Sequence, residues 1–282
     1  MNYFDLHCDT PFECYTKNQE FYVNSLSVSG ESAMVFEDWT QVFAIWINDS
    51  EENPWQLYKN ILTDFKAKIL QKPQNLTPVF SVENGVLLEN DADRLYILKK
   101  DGIKLFTLTW NGENNIAGGA NSEKGLTMFG KSVIQKMNEL KIGCDLSHLN
   151  KKSFYSAIEI ADYPLASHSN CFDVCNHPRN LKLEQIKLVA QKGGVVGLCF
   201  YPLFLGGDVF EKIYENIFFL CDKGFENNIA IGSDFDGAEM SAKLSYPKQI
   251  PELLRFLEEK GIKKDLIYKI FYKNAYNFIA KL

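Results

Sequence analysis

Residues 142–168 read IGCDLSHLNKKSFYSAIEIADYPLASH, and this stretch decides the fold. Two short apolar runs, 142–146 and 164–166, flank a helical pattern over 151–161. Continuous apolar runs are typical of parallel strands that are buried on both faces, and an intervening helix is the usual connection between two such strands. The stretch therefore predicts a strand, a helix and a second strand parallel to the first.

The same alternation of apolar runs and helical patterns continues along the whole chain. Six further strands are predicted at 3–6, 42–47, 78–82, 103–109, 194–200 and 229–232. Helices are predicted at 54–71, 92–100, 129–140, 183–191, 209–223 and from 249 onward, with a Gly- and Asn-rich loop over 112–126. Eight strands of this kind favour an α/β fold, a closed (β/α)8 barrel, over an open doubly wound sheet, which stays the alternative.

Length and composition are those of an ordinary globular protein and fit one large barrel. The chain has 282 residues, of which 46% are hydrophobic and 23% charged, and no Pro-, Gly- or Ser-rich linker interrupts it. Because a barrel commonly runs to ~250 residues as one domain, we expect a single domain over 1–282. The net charge of −6 and the scattered basic residues exclude a nucleic-acid footprint.

Cysteine usage and hydropathy predict a cytoplasmic protein that does not bind a membrane. No apolar run approaches the ~20 residues of a membrane helix, and the start MNYFDLHCDT lacks the pattern of a secretion signal. The seven cysteines are an odd number and stand mostly in apolar contexts, as in reduced proteins. We expect structural roles for Cys171 and Cys175, because their spacing differs from the usual metal-binding pair.

Side chains that bind metals follow several of the predicted strands. The first strand ends in His7-Cys8-Asp9, the third in Glu83, the fifth in His148 and the sixth in His168. Active sites of barrels lie at the carboxyl ends of the strands, and imidazole and carboxylate groups together suit zinc. The pattern predicts one ion on His7, Asp9 and Glu83, and a second on Glu83, His148 and His168. The competing interpretation is a set of hydrogen-bonded core histidines.

Two further strand ends carry candidates for catalysis and substrate binding. Asp234 ends the eighth strand in IAIGSDFDG, where a carboxylate could move a proton during hydrolysis. Asp236 is expected to cap a turn, and His177 to be a loop histidine rather than a ligand. Arg179 stands beyond the sixth strand, and its planar fork suits a substrate carboxylate, although a surface salt bridge explains it as well.

With these residues in place, the chain resembles the membrane (renal) dipeptidase family of zinc metallopeptidases almost from end to end. The segments that carry the resemblance are DLHCDTP (5–11), SVENG (81–85), IGCDLSHLN (142–150), PLASHSN (164–170), CNHPRN (175–180) and IAIGSDFDG (229–237). They occur in the family's order with similar gaps. Each segment alone is a weak signal, but the combination is highly specific.

The resemblance implies a metal-dependent dipeptidase in which a hydroxide bridging two zinc ions attacks the peptide bond. Its expected substrates include dipeptides with a D-residue at the C-terminal position. It implies that Glu83 bridges the ions, that Asp234 is the acid/base group and that Arg179 binds the substrate carboxylate. The remaining ligands that it implies are His7, Asp9, His148 and His168. The donor types do not separate zinc from manganese or cobalt, and the sequence does not decide between a monomer and a homodimer.

The segment LTLTWNGENN departs from the family's pattern at Trp110. Better-known members carry a substrate-binding histidine there, whereas an indole donates one N–H and accepts nothing. Trp110 is therefore expected to bind substrate but to alter substrate choice. This keeps open a second function, hydrolysis of lactones or N-acyl amino acids on the same barrel, and a third, a non-catalytic metal-binding sensor.

Overall fold

The fold was analysed in a computed structural model that describes all residues 1–282. Eight strands form one sheet in which every pairing is parallel. The strands are β1 Asn2–Cys8, β2 Asp38–Trp46, β3 Leu76–Glu83, β4 Ile103–Thr107, β5 Gly143–Asp145, β6 Pro164–Leu165, β7 Val196–Leu198 and β8 Ile229–Ile231. Each lies where the apolar runs predict it.

The sheet closes on itself between its two end strands. Its order is β6-β5-β4-β3-β2-β1-β8-β7. A parallel bridge joins Ala166, directly after β6, to Val196 on β7. The Ala166 amide donates to the Val195 carbonyl at 3.0 Å, and the Gly197 amide donates to the Ala166 carbonyl at 2.8 Å. The structure therefore confirms the predicted barrel, and the open-sheet alternative is wrong.

Helices surround the barrel, and all of them except α1 and α7, which were not predicted, lie at the predicted places. They are α1 Thr10–Thr16, α2 Pro54–Lys68, α3 Arg94–Asp101, α4 Met128–Leu140, α5 Lys151–Ile160, α6 Leu183–Gln191, α7 Pro202–Leu205, α8 Val209–Asp222, α9 Ile250–Glu259, α10 Lys264–Tyr268 and α11 Asn274–Ile279. A π-helical turn, Lys269–Lys273, joins α10 to α11. Short 3₁₀ segments occur at Gly30–Val35, Ile69–Gln71, Gly85–Leu88, Ala242–Leu244 and Pro247–Gln249. None of these helices has the length and apolar character of a membrane span.

One end of the barrel is filled by the C-terminal helical segment. A separate cluster of ten buried residues joins strand side chains to this segment. Its members are Phe4, Leu6, Val42, Leu105, Leu165, Val195, Ala230, Tyr272, Ala275 and Phe278. Because apolar side chains occupy the end where the strands begin, polar side chains that project into the barrel have room only at the opposite mouth.

Glycine allows β6, β7 and β8 to approach closely beside this mouth. A Cβ atom on Gly232 would lie 1.6 Å from the Ser167 carbonyl oxygen, and one on Gly197 would lie 1.9 Å from the same atom. Backbone cannot retreat from such a contact as a flexible side chain can. The close approach brings Ser167 and the following His168 next to β8.

We predict that Gly232→Ala destabilises the protein by about 3 kcal/mol, because a methyl group would be forced against backbone in a packed interior. Gly125→Ala is the matched control, since its Cβ would meet only Lys152 Cβ at 4.0 Å, and we expect a change of about 0.5 kcal/mol or less. Urea unfolding followed by circular dichroism measures both. Equal unfolding midpoints for the two variants would contradict the packing argument.

Candidate metal centre and substrate pocket

The side chains predicted to bind metal converge at the mouth of the barrel. His7 Nε2 lies 3.4 Å from Asp9 Oδ2 and 3.1 Å from Glu83 Oε2. His148 Nε2 lies 2.8 Å from Glu83 Oε1 and 2.8 Å from His168 Nε2. All five side chains are at least nine-tenths buried. Residues up to 161 positions apart in sequence thus form one cluster.

Glu83 occupies the middle of this cluster, at the last position of β3. Its two carboxylate oxygens face different histidines, Oε2 towards His7 and Oε1 towards His148. Asn84 holds the following turn at φ 84°, and its amide donates to the Ile47 carbonyl at 2.9 Å. A carboxylate presented in this way has the arrangement required to bind two cations at once.

Hydrogen bonds to the far nitrogens orient two of the imidazoles. His148 Nδ1 lies 3.0 Å from Asn111 Oδ1, and His168 Nδ1 lies 2.7 Å from Ser167 Oγ. Ser167 in turn donates to Asp145 Oδ2 at 2.6 Å. An N–H at each Nδ1 satisfies these contacts and leaves a lone pair on each Nε2. Histidines that bind metals usually have such a partner on the second nitrogen.

Several donor atoms of the cluster have no partner within the protein. His7 Nε2 and Asp9 Oδ1 are buried and make no hydrogen bond of acceptable geometry. Three groups of side chains bring their donor atoms within 4.8 Å of one another, and they are His7 with Asp9 and Glu83, Glu83 with His148 and His168, and His7 with His168 and Asp234. Nitrogen and carboxylate donors of this kind fit zinc and similar divalent ions.

The third of these groups includes Asp234, which the sequence predicts as an acid/base group. Asp234 Oδ1 lies 3.8 Å from His7 Nε2, and Cys199 Sγ donates to Asp234 Oδ2 at 3.7 Å. Burial, together with the charge of Glu83, raises the pKa of Asp234 to about 6. The Asp234 carboxylate therefore lies at the edge of the donor cluster, with a pKa above the usual range of an aspartate.

The buried carboxylates and imidazoles of the cluster shift one another's pKa values. Burial and the charge of Glu83 raise the pKa of Asp9 well above its usual value. Burial opposes ionisation of Glu83 as well, but the charges of His7 and His148 hold its pKa well below the usual range. Burial and the charge of Arg179 lower the pKa of His148 to about 4. Bound cations would favour the ionised carboxylates and the neutral imidazoles.

Two buried aspartates beneath the cluster hold its strands together. Asp145 accepts hydrogen bonds from the Ser147 and Ser167 amides and from the Ser167 and Thr107 hydroxyls. Asp5 accepts from the His7 and Ser233 amides and from the Ser233 and Tyr3 hydroxyls. The sequence analysis missed both residues, although an aspartate inside an apolar strand run, as in YFDLH and GCDLS, is a usable signal.

Site residues also adopt backbone conformations that favour glycine. His148, Asp234 and Asp236 have φ values of 71°, 68° and 66°. Such conformations in non-glycine residues concentrate at functional sites, where the surrounding structure holds them in place. The direction of these side chains is thus set by backbone geometry that the sequence pattern did not reveal.

A cavity of about 690 Å³ lies over the cluster and contains the remaining predicted residues. Arg179 lines it and is 7% exposed, and its Nε and Nη2 atoms have no hydrogen-bond partner. Trp110 also lines it, with its ring centroid 6.5 Å from that of His148. The surface salt bridge considered for Arg179 is absent from its contacts, and the guanidinium faces the cavity unpaired.

Three other sequence-based expectations have different outcomes. Asp236 does not cap its own turn, because its carboxylate accepts from the Thr10 hydroxyl and from the Ser27 and Val28 amides, which fasten a distant loop to the mouth. His177 is a loop residue, as expected, and its Nδ1 accepts from the Arg179 amide at 3.2 Å. Cys171 and Cys175 belong to none of the groups of side chains that could hold a metal.

Comparisons with known proteins give the family of this chain. Residues 59–281 match the model of the membrane dipeptidase family, peptidase family M19. An uncharacterized protein from the pqqA 5′ region of Klebsiella pneumoniae is 30% identical over 71% of this chain and 79% of its own length. An uncharacterized dipeptidase of Schizosaccharomyces pombe is 31% identical over 57% of this chain but only 42% of its own length.

Solved structures show the same fold. A metallopeptidase of Rhodobacter sphaeroides, solved with a phosphinate mimic of the dipeptide L-Ala-D-Ala, superimposes with a TM-score of 0.88 at 19% identity and covers 100% of this chain and 99% of its own. The family match, the barrel and the segments quoted above agree with one another. The chain therefore belongs to the membrane dipeptidase family, peptidase family M19, which is a family of metallopeptidases.

Proposed function

We propose that this protein hydrolyses dipeptides at a centre of two divalent metal ions, with zinc as the expected metal. One observation carries the proposal, namely that a buried cluster of metal-binding donors and a buried, unpaired arginine line the same cavity. The family name and the names of several relatives, which are dipeptidases, support the same substrate class.

Arg179 would bind the free carboxylate of the substrate. A buried guanidinium with two unpaired nitrogens loses hydration without compensation until an anion arrives, and a carboxylate matches its fork geometry. A cavity of about 690 Å³ accommodates a dipeptide. Because the carboxylate must lie at Arg179 while the scissile bond lies at the cluster, only short substrates fit.

The metal ions would be held by two groups of side chains that share Glu83. His7 and Asp9 complete one group, and His148 and His168 complete the other. When bound, ions in this position lower the pKa of water towards ~7 and polarise a carbonyl oxygen. Asn111 and Ser167 keep two of the imidazoles in the orientation and tautomer that present Nε2 to the ions.

Asp234 would move the proton that hydrolysis requires. The attacking water gives one proton to the Asp234 carboxylate as its oxygen bonds to the peptide carbon. The same proton passes to the amine nitrogen as the C–N bond breaks, so that Asp234 is restored after each turnover. Its position at the donor cluster, 3.8 Å from His7 Nε2, supports this role.

The other finer predictions from the sequence stay predictions. They are the single domain, the cytoplasmic location, the absence of nucleic-acid and membrane partners, and the monomer or homodimer. Acceptance of a D-residue at the C-terminal position is also proposed, since the Rhodobacter sphaeroides enzyme was solved with a mimic of L-Ala-D-Ala.

We predict that the zinc-loaded protein hydrolyses members of a dipeptide panel with L- and D-residues at the C-terminal position. We expect Asp234→Asn to lower kcat by about 100- to 10,000-fold, because it removes the proton carrier. Amine release and bound zinc are measured on the same samples, so that loss of metal is separated from loss of chemistry. Turnover of N-acetyl amino acids or lactones but of no dipeptide would favour the alternative hydrolase and overturn the proposal.

We predict that the wild-type protein binds two zinc ions per chain and that His148→Ala binds fewer, with loss of activity. Removing this imidazole leaves one group with only Glu83 and His168. Plasma emission spectrometry after gel filtration counts the ions. His177→Ala is the control, because this histidine belongs to none of the donor groups. Two ions in the His148 variant would contradict the assignment.

We predict that Arg179→Gln lowers kcat/KM for dipeptides by about 100-fold, since it removes a charge-assisted pair with the substrate carboxylate. The same change should have little effect on dipeptides whose C-terminus is amidated, which carry no such charge. Steady-state assays with the two substrate types make the comparison. An equal loss for both would show that Arg179 supports the site structurally instead of binding the carboxylate.

A further inference from the structure

Three aromatic side chains line the cavity on the side of β1, β2 and β4. We propose that Phe12, Trp46 and Trp110, here called the aromatic wall, bind the side chain of the substrate's N-terminal residue and select large apolar residues, aromatic ones above all. This inference rests on the proposed dipeptidase function and adds the substrate class to it.

The aromatic wall is continuous and reaches the donor cluster. Phe12 meets Trp46 edge to face with centroids 4.7 Å apart and planes at 87°. Trp46 meets Trp110 at 5.2 Å and 74°, and Trp110 lies 6.5 Å from the His148 ring. Each of the three is only partly buried and lines the cavity. The uncovered faces therefore form a preformed apolar surface that begins beside the donor atoms.

The order of strands places Trp46, the central ring of the aromatic wall, across the mouth from Arg179. Trp46 is the last residue of β2, whereas Arg179 belongs to the loop that follows β6. These strands are four positions apart in the closed sheet of eight, which is half of its circumference. Arg179 also has aromatic neighbours, but they come from the segment after β7, where Phe204 lies 5.3 Å beneath the guanidinium.

A bound dipeptide must run from Arg179 across the donor cluster towards β2. With its carboxylate at Arg179 and its scissile carbonyl at the donor cluster, its N-terminal residue continues towards β2. The side chain of that residue then meets Trp46 and its two neighbours. Burying apolar area against aromatic faces contributes roughly 25 cal/mol per Å², and faces that are already fixed in place lose little entropy on binding.

Charge on this side of the cavity does not favour a basic substrate side chain. Glu13 is the acidic residue next to the aromatic wall, and it forms an ion pair with Lys17 one helical turn away. Asp236, which lines the same region, already accepts hydrogen bonds from the Thr10 hydroxyl and two backbone amides. Apolar contact is thus the interaction that this surface offers.

The test measures kcat/KM for a series of Xaa-Ala dipeptides that differ only in the N-terminal residue. We expect the wild-type enzyme to prefer Phe-Ala and Leu-Ala over Gly-Ala by tenfold or more, about the discrimination that an apolar pocket provides. Trp46→Ala should reduce the Phe-Ala to Gly-Ala ratio by about tenfold, because the central ring of the wall is removed, while kcat/KM for Gly-Ala changes much less.

Trp46→Phe is the conservative variant, and it should restore most of the preference because it keeps an aromatic face. Leu203→Ala is the matched control, since Leu203 lines the cavity on the opposite side beside Phe204 and is 62% exposed. It should leave the Phe-Ala to Gly-Ala ratio unchanged. Thermal unfolding of each variant shows whether the fold is intact. If Trp46→Ala does not fold, the Phe-Ala to Gly-Ala ratio of Trp110→Ala is measured instead.

The outcomes separate this inference from the function on which it rests. Hydrolysis of Gly-Ala and Phe-Ala with equal efficiency, or a ratio that Trp46→Ala does not alter, would overturn the aromatic wall as a selectivity surface and leave the dipeptidase intact. Hydrolysis of no Xaa-Ala peptide by zinc-loaded protein would overturn both. A preference for Arg-Ala or Lys-Ala would show that Glu13 recruits basic side chains and would also contradict the inference.

Discussion

Like charges held together out of water are the constraint on which this site depends. Asp9, Glu83 and Asp234 share one buried cluster, and each is at most 8% exposed. An isolated buried carboxylate costs several kcal/mol, and burial raises the pKa of both aspartates. The arrangement is therefore unfavourable for the protein alone and becomes favourable when cations are present. This electrostatic conflict is the physical argument for proposing a metal centre here instead of a hydrogen-bonded core.

A rigid frame is needed to hold such a cluster together, and the barrel provides it through buried polar contacts. Asp5 on β1 binds the start of the segment after β8, and Asp145 on β5 binds groups next to β4 and β6. Two of the histidines proposed as metal ligands, His7 and His148, follow these aspartates by two and three residues. Since carboxylates and serines satisfy one another below the mouth, the unpaired donors above them cannot relax by rotating towards other partners.

The sequence was sufficient for the fold and for the side chains that converge at the mouth, because both depend on local signals. Apolar runs reveal buried parallel strands, and strand-end histidines reveal the mouth of a barrel. It was not sufficient for what depends on packing across the barrel. The left-handed backbone at His148, the link from Asp145 through Ser167 to His168, and the role of Asp236 all join residues that no periodicity connects. Trp46 could have been recognised as a candidate site residue because it also ends a strand. An aromatic residue at a strand end, however, is usually interpreted as part of the hydrophobic core.

In the proposed binding mode, the two sides of the cavity divide recognition between charge and shape. A carboxylate at Arg179 would fix which bond lies over the donors, and this requirement would be the same for every dipeptide. Selection among dipeptides must then come from the side chains, and the surface opposite Arg179 is aromatic. Trp110 stands where better-known members of the resembled family carry a histidine, and it continues the face formed by Trp46 instead of adding a group that accepts or carries charge. The proposed selectivity surface and the donor cluster are built from different side chains, so a change at Trp46 or Trp110 could alter substrate preference without removing any of the donor atoms.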